Sequence, residues 1–491
     1  MSIKIAIIGA GSIGFTRKLM HDILAVPELN DTHFHFMDIS ERNLEMMTQL
    51  AQRDIAANQL PARIEATMNQ REAVRDSDYV ISVIRQGGLE AFALDVDIPL
   101  KYGVDQCVGD TICAGGIMYA QRTIPALLAI CRDIREVAKP NCLFLNYSNP
   151  MAMNVWACNK YGGVPTIGLC HGVQGGHGII AACIERWARQ EGLIGAEERV
   201  LKRDVEIVAS GINHQTWYVK IQWRGLDIVP LLAAMMAAHP QYAQEEKVRL
   251  DVLRRFGYFS TESNGHLSEY LPWYRKRPST IPDWIDLSSW IHGETGGYLR
   301  HCIEGRNWFE TEFPIWLAQE PPVITPERRS EEHGSYIIES LETGRVYRGH
   351  FNVINQGHIP NLPDGCVIEI PGYVDKNGIN MPVVGNLPLA CAATCAASVR
   401  VQEMGMEAAV HGDVTLLKQA ILHDPLVGAV CTPEEVWQMT DEMLVAQAQW
   451  LPQYQAEIPH AQARLAEAEQ NGTRVHLQET RGAARLTVKS S

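Results

Sequence analysis

The first residues in this chain able to bind a cofactor form a glycine string. Gly9-Ala10-Gly11-Ser12-Ile13-Gly14 follows an apolar run, Ile3–Ile8, and opens a helical stretch beginning near Phe15. In that setting the three glycines provide a tight turn, close approach to a pyrophosphate and close helix packing, and the N–H groups from Ser12 and Ile13 onward face the phosphates. Asp38 stands 24 residues beyond Gly14, after the run His33–Met37, where a carboxylate accepts hydrogen bonds from both ribose hydroxyls and so favours NAD over NADP. Four more segments carry reactive side chains: Asp110-Thr111 with Gly115-Gly116, Asn146-Tyr147-Ser148-Asn149-Pro150, Cys170-His171-Gly172 and Gly211-Ile212-Asn213-His214. Cys170 and His214 are donors suited to a divalent transition metal. They lie 44 residues apart, so no local metal motif pairs them.

These residues need elements to position them. Apolar runs at Ile3–Ile8, His33–Met37, Tyr79–Ile84, Cys142–Asn146 and Thr166–Leu169 alternate with amphipathic stretches at Thr16–Ala25, Glu41–Ala57 and Ala120–Val137. Such alternation predicts a doubly wound parallel sheet, with Asn149, Cys170 and Arg85 just past strand ends, where such sheets bind ligands. The expected plan is an α/β Rossmann-type domain over residues 1–195, followed by a mixed α+β domain over 196–460 for substrate, metal completion and oligomerisation, as in lactate and malate dehydrogenases. Residues 461–491 read as a polar C-terminal tail. Within the second domain, Val205–Ser210, Trp217–Trp223, Gly349–Asn355 and Cys366–Pro371 read as strands; Leu231–Ala238, Glu245–Phe256, Leu389–Leu422 and Pro433–Trp450 read as helical. The Trp-rich stretch from Trp273 to Phe313 reads as loop and short helix, a lid or a subunit contact.

Composition narrows the partners. The 491 residues carry 57 acidic and 43 basic side chains, a net charge of −14, which argues against a nucleic-acid partner. No uncharged apolar stretch approaches the ~18 residues of a membrane span. Twelve cysteines without a Cys-x-x-Cys pair, and no signal-peptide pattern at the N-terminus, predict a cytoplasmic protein with reduced thiols.

In this order, the glycine string and the four segments resemble glycoside hydrolase family 4, over Ile3 to about Pro452. The resemblance implies a small-molecule glycoside as substrate, NAD and manganese(II) as cofactors, Cys170 and His214 as metal ligands, Asn149 at the substrate, and a homodimer or homotetramer. It also implies redox-assisted elimination: hydride leaves sugar C3 for NAD, the metal polarises the ketone, a base takes the C2 proton, the aglycone leaves, water adds and the hydride returns. His171 then contacts the sugar, assists the leaving group or supports the site from behind. The base falls in the segment Asn264–Tyr270, at His266 or at Tyr270 one helical turn later, with His266 favoured because its pKa lies nearer working pH. Asp110 orients a sugar hydroxyl or the metal's water, or caps a helix.

Met151-Ala152-Met153-Asn154, Gly115-Gly116-Ile117-Met118 and Ser268-Glu269-Tyr270-Leu271-Pro272-Trp273 are most similar to the α-galactosidase branch. Gly172, where that branch usually has serine, is as in some α-glucosidases, and Arg85 departs from the branch's neutral residues. An arginine there suits an anionic sugar substituent, the cofactor phosphates or a nearby acid. An α-galactoside is therefore the expected substrate, with α-glucosides or anionic sugars as alternatives. Outside the family, a simple NAD-dependent sugar dehydrogenase needs neither Cys170 nor His214, and a non-catalytic NAD sensor needs no metal. Asp38→Ala is expected to weaken NAD binding in a calorimetric titration while leaving the circular dichroism spectrum unchanged; unaltered affinity would mean the ribose contact lies elsewhere.

Overall fold

The computed structural model describes residues 2–475. Six parallel strands, β1 (Lys4–Ile8), β2 (His33–Met37), β3 (Arg63–Thr67), β4 (Tyr79–Ser82), β5 (Leu143–Asn146) and β6 (Thr166–Gly168), form one half of the sheet, in the order β6-β5-β4-β1-β2-β3. This is the doubly wound order, reversing direction between β1 and β4. Strands β1 and β4 are almost wholly buried, which is why they read as uninterrupted apolar runs. β3 does not: it is an edge strand of sequence RIEAT with no buried residue, and no apolar pattern announces it.

Seven further strands continue the same sheet: β7 (Val205–Ile212), β8 (Gln215–Trp223), β9 (Leu226–Asp227), β10 (Phe259–Ser260), β11 (Tyr347–Ile354), β12 (Val367–Asp375) and β13 (Gly378–Asn380). They pair antiparallel, and the two halves join where Asn352 of β11 stands opposite Gly168 of β6. A second narrow link sets Glu369 of β12 opposite Gly211 of β7. The join places the end of β6, which leads into Cys170, beside the β7–β8 hairpin, whose two-residue turn is Asn213-His214. His214 adopts φ +61°, a left-handed conformation that histidine tolerates better than most residues and that is often held at functional sites.

Several helices differ from expectation in extent. The long helix begins at Cys113, seven residues before Ala120, and runs to Val137. The Trp273–Phe313 stretch holds helices Ile281–Trp284 and Gly297–Glu304 and the start of Trp308–Ala318. Beyond Pro433–Ala446, the helix Ile458–Gln470 docks back through Arg464 on Asp441, and Arg474 reaches Gln438 and Glu442. Residues 476–491 of the expected tail lie outside the described residues.

A buried ion pair ties the helix Gly88–Lys101 to the long helix: Arg122 makes two hydrogen bonds to Asp95 (2.9 and 2.5 Å), with both side chains 1% exposed. Arg122 also donates to the carbonyl of Gln86, beside Arg85. Asp95→Asn removes the charge that compensates a buried guanidinium, so unfolding is expected to become easier by about 3–5 kcal/mol in denaturant titration.

Candidate active site

The end of β1, the end of β6 and the β7–β8 turn converge on one cavity of about 660 Å³. On its dinucleotide side, Gly9 has φ +91° and helix Ile13–Leu24 starts at Ser12 without a side-chain cap. The helix's first N–H groups are therefore open to an anion. Ser12 lines the cavity, whereas Ile13 turns its side chain into the core and leaves only its backbone for a ligand. Gly14 lies in the first helical turn. Asp38 sits at the end of β2 against the turn: one carboxylate oxygen accepts from Gly11 N–H at 2.8 Å and the other from Ser40 N–H at 2.9 Å. A Cβ on residue 11 would fall 2.7 Å from the Asp38 carboxylate, so the approach requires glycine.

Cys170 and His214 meet: His214 Nε2 is 3.2 Å from Cys170 Sγ. A third donor, Glu262, completes a group whose ligand atoms all lie within 4.8 Å of one another. Burial pushes the Cys170 thiol well up, reinforced by Glu369 and Glu262 nearby. Burial also pushes Glu262 up, but the charges of His214, His266 and Arg249 outweigh it and hold the carboxyl below its usual range. Glu369, accepting from Thr216 Oγ1 at 2.8 Å, is raised by burial to about 7. A thiol, an imidazole and a carboxylate, with a further buried acid alongside, form a donor set that suits a divalent ion such as manganese or zinc. The Asn213 side chain, buried beside His214, turns toward the Cys170 thiol.

His266 extends this group. Its Nε2 lies 2.8 Å from His214 Nδ1, and its Nδ1 lies 2.6 Å from Glu269 Oε2. Glu269 is fixed in turn by the N–H groups of Cys107, Val108 and Gly109, at 2.6, 2.9 and 3.2 Å. Thr111 Oγ1 stands 3.0 Å from His214 Nδ1 and 2.7 Å from Asp110. Asp110 also accepts from Asn149 Nδ2 at 3.2 Å and lies 3.7 Å from Arg85. The helix that follows is capped at Ile112, so Asp110 caps nothing. His171 lines the cavity and is bound through Nε2 to Glu332 at 2.6 Å.

Tyr270 is the residue the structure sets apart. The helical turn that was expected to aim it with His266 at the cavity instead packs it edge-on behind that imidazole, with centroids 5.4 Å apart. Its hydroxyl donates to the Asn213 carbonyl at 3.1 Å, it lines no part of the cavity, and burial raises its pKa well above the ordinary value. Sequence reasoning missed Glu262, Glu269 and Glu332. Only Glu269 left a signal, at the i,i+3 spacing from His266 that brings side chains together on a helix.

Arg85 reaches the cavity between aromatic rings, its guanidinium carbon 4.5 Å from the Phe92 centroid, 5.3 Å from Tyr119 and 5.7 Å from Tyr298. Among the described residues its side chain makes no hydrogen bond, and Asp110 is the acid it faces.

The sequence model described as "Family 4 glycosyl hydrolase" matches residues 4–185, and the one for that family's C-terminal domain matches residues 209–427. The α-galactosidase of Rhizobium meliloti (strain 1021) is 58% identical over 490 residues, covering 100% of this chain and 96% of that protein. The chain belongs to glycoside hydrolase family 4. Among solved structures, that of lplD from Bacillus subtilis superposes on this family 4 chain with a TM-score of 0.76 at 26% identity, over 90% of this chain and 100% of that one. A 6-phospho-β-glucosidase from Thermotoga maritima, solved with manganese, NAD+ and glucose-6-phosphate, shares the fold with a TM-score of 0.71 at 22% identity, over 91% and 99% of the two chains.

Glu262→Gln in this family 4 protein keeps the side-chain shape and removes one charge from the donor set. Manganese affinity, followed by electron paramagnetic resonance of free ion, is expected to fall about 10–100-fold, with NAD affinity unchanged. Undiminished manganese binding would remove Glu262 from the site.

Proposed function

We propose that the chain hydrolyses α-galactosides by NAD-dependent oxidation at C3 and elimination across C1–C2. The observation that carries this reading is the meeting of Cys170, His214 and Glu262 with His266 in one cavity beside the glycine turn, in a chain 58% identical to an α-galactosidase. When bound, NAD supplies a hydride acceptor at C3, and a divalent ion on Cys170, His214 and Glu262 supplies the Lewis acidity that makes the C2 proton removable.

The protein's own part is positioning and proton transfer. Asn149 and Asp110 hold sugar hydroxyls in register with the donor group. His266 is the base: Glu269 holds the proton on Nδ1 and stabilises the imidazolium formed when Nε2, released from its contact with His214 Nδ1, takes the C2 proton. His171, steadied by Glu332, stands at the mouth for the leaving group. The aromatic rings around Arg85 keep water from that wall of the cavity.

A second reading, an anionic glycon, is favoured by Arg85 alone, whose five N–H donors have no hydrogen-bond acceptor among the described residues. A sugar carboxylate matches a guanidinium fork. Among the described residues no helix is long and apolar enough to cross a membrane. With all twelve cysteines unpaired, a reducing cytoplasm is the compartment we infer. For the assembly we infer a homodimer or homotetramer; exposed Leu389, Val383 and Tyr373 are apolar side chains available to such a contact.

With manganese and a reductant, catalytic NAD is expected to support many turnovers of p-nitrophenyl α-galactoside without net NADH, and a chelator to stop them. In D₂O, NMR of the released galactose is expected to show deuterium at C2, and Cys170→Ser to bind NAD but give neither product nor label. NADH rising in step with product would establish a dehydrogenase instead. Preference for the matching α-galacturonide, lost selectively in Arg85→Gln, would establish the anionic glycon.

A further inference from the structure

A second cavity, of about 450 Å³, lies along the helix Gly172–Gln190. The first turns of that helix, at Gly172, Gly175, Gly176 and Ile179, line the catalytic cavity, and its later turns line this one. Arg186, Arg189, Arg199 and Lys202 face the second cavity, and the carboxylate among its lining residues is Glu185. Glu185 is already saturated: it takes Arg189 at 3.0 Å, and Arg199 and the Val200 N–H at 2.9 Å each. Lys202 pairs with Glu331, which is not among the lining residues.

Arg186 has nothing. Among the described residues its guanidinium enters no hydrogen bond or ion pair, and its Nε is buried without a partner. An arginine keeps its charge at any physiological pH, and a buried N–H donor left unsatisfied is costly. His239 lies on the same cavity, its imidazole lowered by burial and then by the Arg186 charge. The surplus is positive, in a chain whose net charge is −14. Gly178, Ala181 and Ala182 keep the floor open, and Val200 and Leu201 supply an apolar wall.

We propose that this cavity is a binding site for a small phosphomonoester, whose dianionic oxygens take the unspent donors of Arg186 with Arg199 and Lys202, and whose organic part lies on the small-residue floor. Guanidinium forks match phosphate oxygens in geometry and charge. Free phosphate shares this chemistry, and the floor of Gly178, Ala181 and Ala182, open to an organic part, is what favours an ester over it. The inference is independent of the catalytic reading, because Arg186, Arg199 and Lys202 touch neither the donor group nor the glycine turn.

The test is calorimetric titration of the NAD-saturated chain, so that the dinucleotide's own phosphate site is filled. Inorganic phosphate and glycerol 1-phosphate are the probes, with sodium chloride at matched ionic strength as control. Saturable binding is expected for both, tighter for the ester; equal affinities would assign the site to the free oxyanion. Arg186→Gln is expected to weaken either ligand by about tenfold or more. Arg199→Gln, on a side chain 72% exposed and so free of folding risk, is expected to weaken both several-fold. Turnover of the aryl α-galactoside without phosphate should be unchanged in both variants. Absence of saturable heat, equal displacement by chloride, or wild-type affinity in the two variants would overturn the proposal.

Discussion

The site rests on a concentration of buried acids around two histidines. Cys170, Glu262, Glu369, Asp110 and Glu269 all approach the His214–His266 pair, and each is largely withdrawn from water. Desolvation disfavours every anion in that set: it pushes the Cys170 thiol and the Glu369 carboxyl up, and the acids that stay charged need compensating partners. Three kinds of compensation are visible. Glu269 accepts hydrogen bonds from three backbone N–H groups, Asp110 faces Arg85, and the Cys170–Glu262 side faces His214. The last is the least complete, and it is where a divalent cation has most to contribute.

This arrangement explains the sheet. A purely parallel doubly wound sheet delivers Cys170 at the end of β6 but has no means of bringing a second donor from the far side. The antiparallel extension provides it, through a narrow join at Asn352 and Gly168 that sets the β7–β8 turn over the end of β6. The left-handed conformation of His214 is tolerated there because the hairpin leaves only two residues to reverse the chain. The helix Asn264–Tyr270 then closes the group, presenting His266 and bracing it with Glu269.

Rigid support and cofactor access come from neighbouring strand ends, those of β4 and β1. Arg122 with Asp95 secures the loop that carries Arg85, and aromatic rings hold the Arg85 guanidinium without hydrogen bonds. Beside it, with Gly9 against Val83 and Ile84, the glycine turn leaves its helix start uncapped. A preorganised guanidinium and open backbone donors thus lie side by side at the ends of adjacent strands, where an anionic group can meet both.

Much of this was legible in the order of residues. The glycine string after an apolar strand, Asp38 at the next strand's end, and the alternation of strand and helix all depend on local pattern, and local pattern survives without knowledge of the fold. The edge strand β3 was not legible, because an exposed strand has no buried face to write into its sequence. The pairing of Cys170 with His214 came from family resemblance, and Glu262 from neither resemblance nor pattern. Whether Tyr270 or His266 faces the cavity was likewise undecidable from spacing: one helical turn sets both on the same side of a helix, but not at the same depth. Depth, and the meeting of donors from separate strands, are set by how the two halves of the sheet join, a long-range constraint that no window of sequence contains.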